Sequence, residues 1–109
     1  MSVISITTVE AFEKAILDEQ AYIKVSTTTC APCKMMGPLF EKISEEYTQG
    51  KYYSIEVDSA PPALSAYAQQ TLDITSVPVF FKYSKGSQVI RLAGAFPKSQ
   101  LIPKLGIQE

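Results

Sequence analysis

The sequence predicts an α/β domain built on a central mixed β-sheet with helices on both faces. Two observations carry that expectation. Strand-type runs rich in β-branched and aromatic residues alternate with segments of helical apolar spacing over most of the chain. Two further strand-type runs, separated by turn-forming residues, then read as a hairpin, which adds an antiparallel pair to a sheet otherwise connected by crossovers. The 109 residues fit one domain, 1–109, and suffice to bury a core without metal or disulfide support.

In chain order, Val3 to Ile6 is the first strand. Thr7, with Glu10 three residues later, has the capping-box spacing that opens a helix, and that helix is expected to bury Phe12, Ala15 and Ile16. Ala21 to Thr27 is the second strand. Pro32 stands where a first-turn proline sacrifices no hydrogen bond, and Met36, Leu39, Phe40, Ile43 and Tyr47 recur at helical spacing after it. Pro38 falls inside this helix and predicts a kink, and Gly50 predicts its end. Tyr52 to Val57 is a third strand. Asp58 to Pro62 then connects to a helix carrying Leu64, Tyr67 and Ala68. Val79 to Tyr83 and Val89 to Ala93 form the hairpin, with Ser84, Lys85, Gly86 and Ser87 as its turn. Pro97 begins a last helix that turns Leu101, Ile102 and Leu105 inward and is shortened or bent at Pro103.

Composition narrows the function. Eleven acidic and ten basic residues give a formal charge of -1, which argues against nucleic acid or an anionic membrane as partner. No basic and apolar leader begins the chain, and no run approaches the roughly 20 apolar residues that span a bilayer, so a cytoplasmic protein is expected. Two cysteines without any histidine leave a mononuclear metal site short of ligands unless carboxylates or a second subunit complete it, so no metal and no bound cofactor are expected. The tyrosines at 22, 52, 53 and 83 alternate with core residues and read as packing.

Those cysteines form Cys30-Ala31-Pro32-Cys33, directly after the second strand and at the start of the second helix. Two sulfurs so placed share one face of the first turn, close enough to bond and reopen. As a brace the bridge is weak, because the chain-entropy estimate for so short a loop is roughly 2 kcal/mol. A redox dithiol is the leading reading, with buried structural thiols or half a metal site as the alternatives. The thiolate is the attacking species in disulfide exchange, and a helix N-terminus favours negative charge. Cys30 is therefore the expected nucleophile, and Cys33, one turn inside, the resolving thiol. The hydroxyls of Ser26 to Thr29 could hydrogen-bond the Cys30 sulfur, although a polar loop leading into a helix is the commoner meaning. Met35 and Met36 beside the dithiol are soft-metal ligand types, but Met36 falls on the apolar stripe and reads more simply as core.

Cys30 to Lys34, Met35-Met36-Gly37-Pro38, Val57-Asp58, Ser76-Val77-Pro78 before Val79-Phe80-Phe81, and the glycines Gly86 and Gly94 together resemble the thioredoxin family across nearly the whole chain. That resemblance implies the thioredoxin fold and a cis bond before Pro78. On base rates alone a cis bond would be unexpected, since only about 5% of X-Pro bonds are cis. It also implies a substrate groove formed by Ala31, Pro32, Val77, Pro78, Ala93 and Gly94, in which the backbone at Val77 pairs with an extended substrate chain.

Some positions depart from the family pattern. Thr29 replaces the usual tryptophan and Ala31 the usual glycine, while Lys24 stands where the family has a buried aspartate and Ser54 where it has that aspartate's lysine. The segment from Asp58 to Pro78 is longer than usual. Lys24 either extends its ammonium to solvent along an aliphatic stem or, if buried, experiences opposing effects of desolvation and a nearby thiolate. Lys24 and Thr29 are thus expected to modulate the dithiol.

The function expected is reduction of disulfides in other proteins, with recycling by a thioredoxin-reductase-like electron donor and a monomeric state. Alternatives are a protein disulfide oxidase or isomerase of raised potential and a non-catalytic binding module. A glutathione-dependent glutaredoxin is disfavoured by analogy, because Ala31-Pro32 lacks the aromatic residue common in that motif.

Overall fold

The computed structural model describes residues 2–108, so Met1 and Glu109 of the expected 1–109 span lie outside the described residues. Five strands, β1 (Val3–Ser5), β2 (Ala21–Ser26), β3 (Lys51–Glu56), β4 (Val79–Ser84) and β5 (Ser87–Ala93), form one sheet in the order β1-β3-β2-β4-β5. Four helices connect or follow them: α1 (Val9–Ala15), α2 (Ala31–Glu46), α3 (Pro62–Gln70) and α4 (Lys98–Lys104). β3 is parallel to β1 and β2, whereas β4 is antiparallel to β2 and β5. The mixed sheet expected from the terminal hairpin is present, and β2 is its central strand.

The strand period of two sorts β2 between two cores. Ala21, Ile23 and Val25 join Ile6, Phe12, Ala15, Ile55, Leu64, Ala68, Val79 and Phe81 on the α1/α3 face. Tyr22 joins Met36, Phe40, Ile43, Tyr52, Phe80, Leu101 and Leu105 on the α2/α4 face. Tyr22, Tyr52 and Tyr83 are buried and pack in ring-to-ring contacts, as expected of packing residues. Lys24 occupies the Tyr22 face one pleat further along. Lys24 therefore stands in the row of Phe80 and Ser54 on the α2 side of the sheet.

Several local expectations are corrected. The cap of α1 is Thr8, not Thr7: Thr8 has extended backbone and its hydroxyl accepts the Ala11 N–H at 3.0 Å. Glu10 consequently sits at the second helical position, one short of a capping box. Ile16 follows α1 as its C-cap and is half-buried, so only Phe12 and Ala15 of the expected trio are fully inside. α2 ends at Glu46 with Tyr47 as C-cap, not at Gly50. Gly50 serves close packing instead: a Cβ there would lie 2.4 Å from Tyr22 Cε2. Pro38 lies within α2 without ending it. The hairpin turn has two residues, Lys85 (φ 51°) and Gly86 (φ 90°), because Ser84 and Ser87 pair with each other as strand residues. Pro97 caps α4 without entering it, and Ile102 stays half-buried beside buried Leu101 and Leu105.

A candidate active site at the start of the second helix

β2 ends at Ser26, a short polar loop follows, and α2 begins at Ala31. Cys30 is the N-cap of α2, with extended backbone (φ -91°, ψ 109°). Its Sγ accepts the Cys33 N–H at 3.1 Å, so the sulfur occupies the position that Ser or Asp oxygens take at other helix starts. Cys33 lies one turn inside and is buried, while Cys30 is half-buried. The two are joined as a disulfide with Cα atoms 5.2 Å apart. The redox pair inferred from spacing is therefore assembled, with one sulfur reachable and the other covered.

Residues far along the chain complete the site. The Val77 carbonyl oxygen lies 3.8 Å from Cys30 Sγ, and the Val77–Pro78 bond is cis. Gly94, at φ 113°, donates its N–H to the Pro78 carbonyl at 2.9 Å, and Ala93 is in register with Val79. Val77, Pro78, Ala93 and Gly94 are thereby gathered at one end of the sheet, with Val77 facing Cys30. Ala31 and Pro32 are exposed on the first turn of α2 and Thr29 is exposed ahead of it, while Pro78 is buried beneath.

Lys24 is paired in register with Ser54 on β3 and Phe80 on β4. Its Nζ would lie 3.6 Å from a Cβ on Gly37, one helical turn beyond Cys33. The side chain borders two open cavities. One, of about 220 Å³, includes Ser5, Ser26, Ser54 and Glu56; the other, of about 320 Å³, includes Val3, Gly37, Pro38 and Glu41. Burial lowers the Lys24 pKa below its ordinary 10.5, against the opposing attraction of Glu56 and Glu41. Lys24 is thus neither solvent-extended nor sealed.

Two features escape a reading of the sequence. An apolar cavity of about 290 Å³ is lined by Met35, Met36, Leu39, Ala95, Phe96 and Pro97, where the Phe96 N–H donates to Met36 Sδ at 3.4 Å. Met35 is 75% exposed there, and its place one residue off the apolar stripe that holds Met36 was the available signal. The Thr28 hydroxyl and N–H bond to the Asp58 carboxylate, not to Cys30. No sequence pattern marks that pair, since its partners stand thirty residues apart. Among the described residues no cluster of His, Cys, Asp or Glu could hold a metal ion, and no helix is long and apolar enough to cross a membrane.

Residues 3–106 match the family model described as Thioredoxin. Thioredoxin-1 of Saccharomyces cerevisiae is 33% identical over 91 residues, covering 83% of this chain and 84% of that protein. Thioredoxin-2 of the same yeast is 34% identical over 80 residues, covering 73% and 72%. Among solved structures, thioredoxin from Plasmodium falciparum superposes with a TM-score of 0.83 at 28% identity over 95% of this chain and 97% of that one. A poplar thioredoxin h gives 0.83 at 29% identity over 97% and 95%. Likeness of this extent, reaching from the first strand past the last helix, makes the chain a member of the thioredoxin family with the thioredoxin fold, and its Cys30–Cys33 pair the redox-active disulfide of a thiol–disulfide oxidoreductase.

Proposed function

We propose that this protein reduces disulfides in other proteins and is itself returned to the dithiol by a thioredoxin-reductase-like electron donor, acting as one monomeric domain in the cytoplasm. The observation that carries the reading is the unequal burial of two bonded sulfurs at one helix start. In the dithiol state the Cys30 thiolate attacks one sulfur of a substrate disulfide, and the other substrate sulfur leaves and takes a proton. Cys33, deprotonated, then attacks Cys30 Sγ and expels the second substrate sulfur, which takes a second proton. Two electrons pass to the substrate and the Cys30–Cys33 bond re-forms. The extended substrate chain lies along Val77, with Ala31, Pro32, Pro78, Ala93 and Gly94 as small walls that admit varied sequences.

An insulin-type reduction assay with dithiothreitol as donor tests the reaction. Wild type accelerates precipitation and Cys30→Ser does not; equal rates for the two would defeat the reading.

The half-buried Lys24 favours a second reading, in which a charge beneath α2 stabilises the reduced thiolate and makes the protein an oxidase or isomerase of protein disulfides. Oxidation of a reduced unfolded substrate faster than insulin reduction, at equal protein concentration, would select it.

A further inference from the structure

Thr28 and Asp58 belong to different loops at the same end of the sheet and are joined by three hydrogen bonds. The Thr28 N–H donates to Asp58 Oδ1 at 2.9 Å and Oδ2 at 3.2 Å, and its hydroxyl donates to Oδ2 at 2.5 Å. Both residues are exposed, so the contact does not serve the core. The pairing of β2 with β3 ends just before it, where the Val57 N–H donates to Ser26 O at 2.9 Å. Thr28 stands two residues ahead of Cys30, whose backbone must hold its sulfur over the Cys33 N–H.

We propose that Thr28 and Asp58 form a positioning clasp that keeps Cys30 in its helix-capping geometry and so keeps its thiolate reactive. Exchange requires the reduced Cys30 sulfur to accept the same Cys33 N–H, because that bond and the helix dipole stabilise the thiolate. Without the clasp, the loop from 27 to 29 is held only through its two ends, Ser26 on the sheet and the Cys30 carbonyl that accepts the Lys34 N–H at 3.2 Å, and the sulfur spends part of its time away from the Cys33 N–H. Asp58 acts in the same direction. Its carboxylate is engaged by the Thr28 hydroxyl first and N–H second, and a released carboxylate would present more of its negative charge near a site that must develop one. Both effects raise the thiol pKa when the clasp opens.

The clasp rests on the exchange reading of the dithiol, but not on its direction. Its test follows the pH dependence of iodoacetamide alkylation at Cys30 in the reduced full chain, beside an NMR titration of Asp58. Thr28→Val keeps the side chain's shape and the backbone N–H but deletes the hydroxyl; Thr28→Ser keeps the hydroxyl. In the Val variant the Asp58 titration and the Cys30 alkylation profile both move to higher pH, and alkylation at neutral pH slows about threefold, a modest return for one lost charge-assisted bond. The Ser variant restores both. Asp58→Ala opens the clasp but also removes the carboxylate's charge, so only the positional effect remains and the Cys30 profile moves to higher pH by less than in the Val variant. An Asp58 shift with an unmoved Cys30 profile overturns the proposal, as does a Ser variant no better than Val or an Asp58 titration that Thr28→Val leaves in place. Wild-type Cys30 alkylating like an unperturbed thiol would remove the exchange reading itself, and the clasp with it.

Discussion

Every other side chain of β2 is buried, and Lys24 alone is held halfway. A lysine whose folded pKa lies below its unfolded value binds fewer protons in the native state, so folding stability rises with pH between the two values. Below the folded Lys24 pKa both states are protonated and the desolvation of Lys24 weighs against folding in full. Lys24→Met is therefore expected to melt higher than wild type at pH 7. The gap should narrow as pH rises through the folded Lys24 pKa toward 10.5. A variant that melts lower at pH 7 would mean that Glu56 and Glu41 outweigh burial. Function gives a separate readout. Lys24→Asp exchanges a favourable for an unfavourable charge toward the thiolate, and its reduction potential should fall by on the order of 30 mV, a tenfold change in the two-electron equilibrium. An unchanged or more oxidising potential would exclude Lys24 as a modulator.

Elements were legible where their signal is local and blurred where a neighbour decides. α2 reads from Pro32 and the spacing of Met36, Phe40 and Ile43, because helix periodicity reports burial directly. Thr7 and Thr8 are chemically equal caps, and only the backbone at Thr8 settled which one opens α1. Ser84 and Ser87 look like turn residues but pair as strand residues, since Lys85 and Gly86 supply both positive φ angles that a two-residue turn needs. Gly50 looks like a helix terminator, yet its meaning lies in the ring of Tyr22 from β2 against it. Gly50→Ala is expected to destabilise by about 1–3 kcal/mol, as overpacked positions do, because Tyr22 is fully buried and has little room to withdraw. Chemical denaturation measures it, and a loss below a few tenths would show that the ring yields.

The whole molecule separates what holds it from what it does. Its two cores flank the sheet without the sulfurs, and the disulfide closes too short a loop to matter much. A Cys30→Ser, Cys33→Ser protein should keep its far-UV circular dichroism and lose no more than about 2 kcal/mol relative to the oxidised wild type. Unfolding at room temperature would contradict that division. The same separation explains how much of the site could be read in advance. Cys30 and Cys33 are adjacent in sequence and carry their chemistry with them. Val77, Pro78 and Gly94 come from distant stretches, and family likeness singled them out where spacing could not. The Thr28–Asp58 contact had neither signal, because two common polar residues on separate loops acquire meaning only once β2 and β3 lie side by side.

Cys30 meets Val77 across forty-seven positions of chain, and Gly94 arrives later still. During synthesis from the N-terminus, the sulfurs thus emerge from the ribosome well before the hairpin that walls them in. Until β4 docks against β2, a nascent dithiol has its attacking atom but no surface beside it to sort one encounter from another. Selectivity in this protein is the last property to be translated.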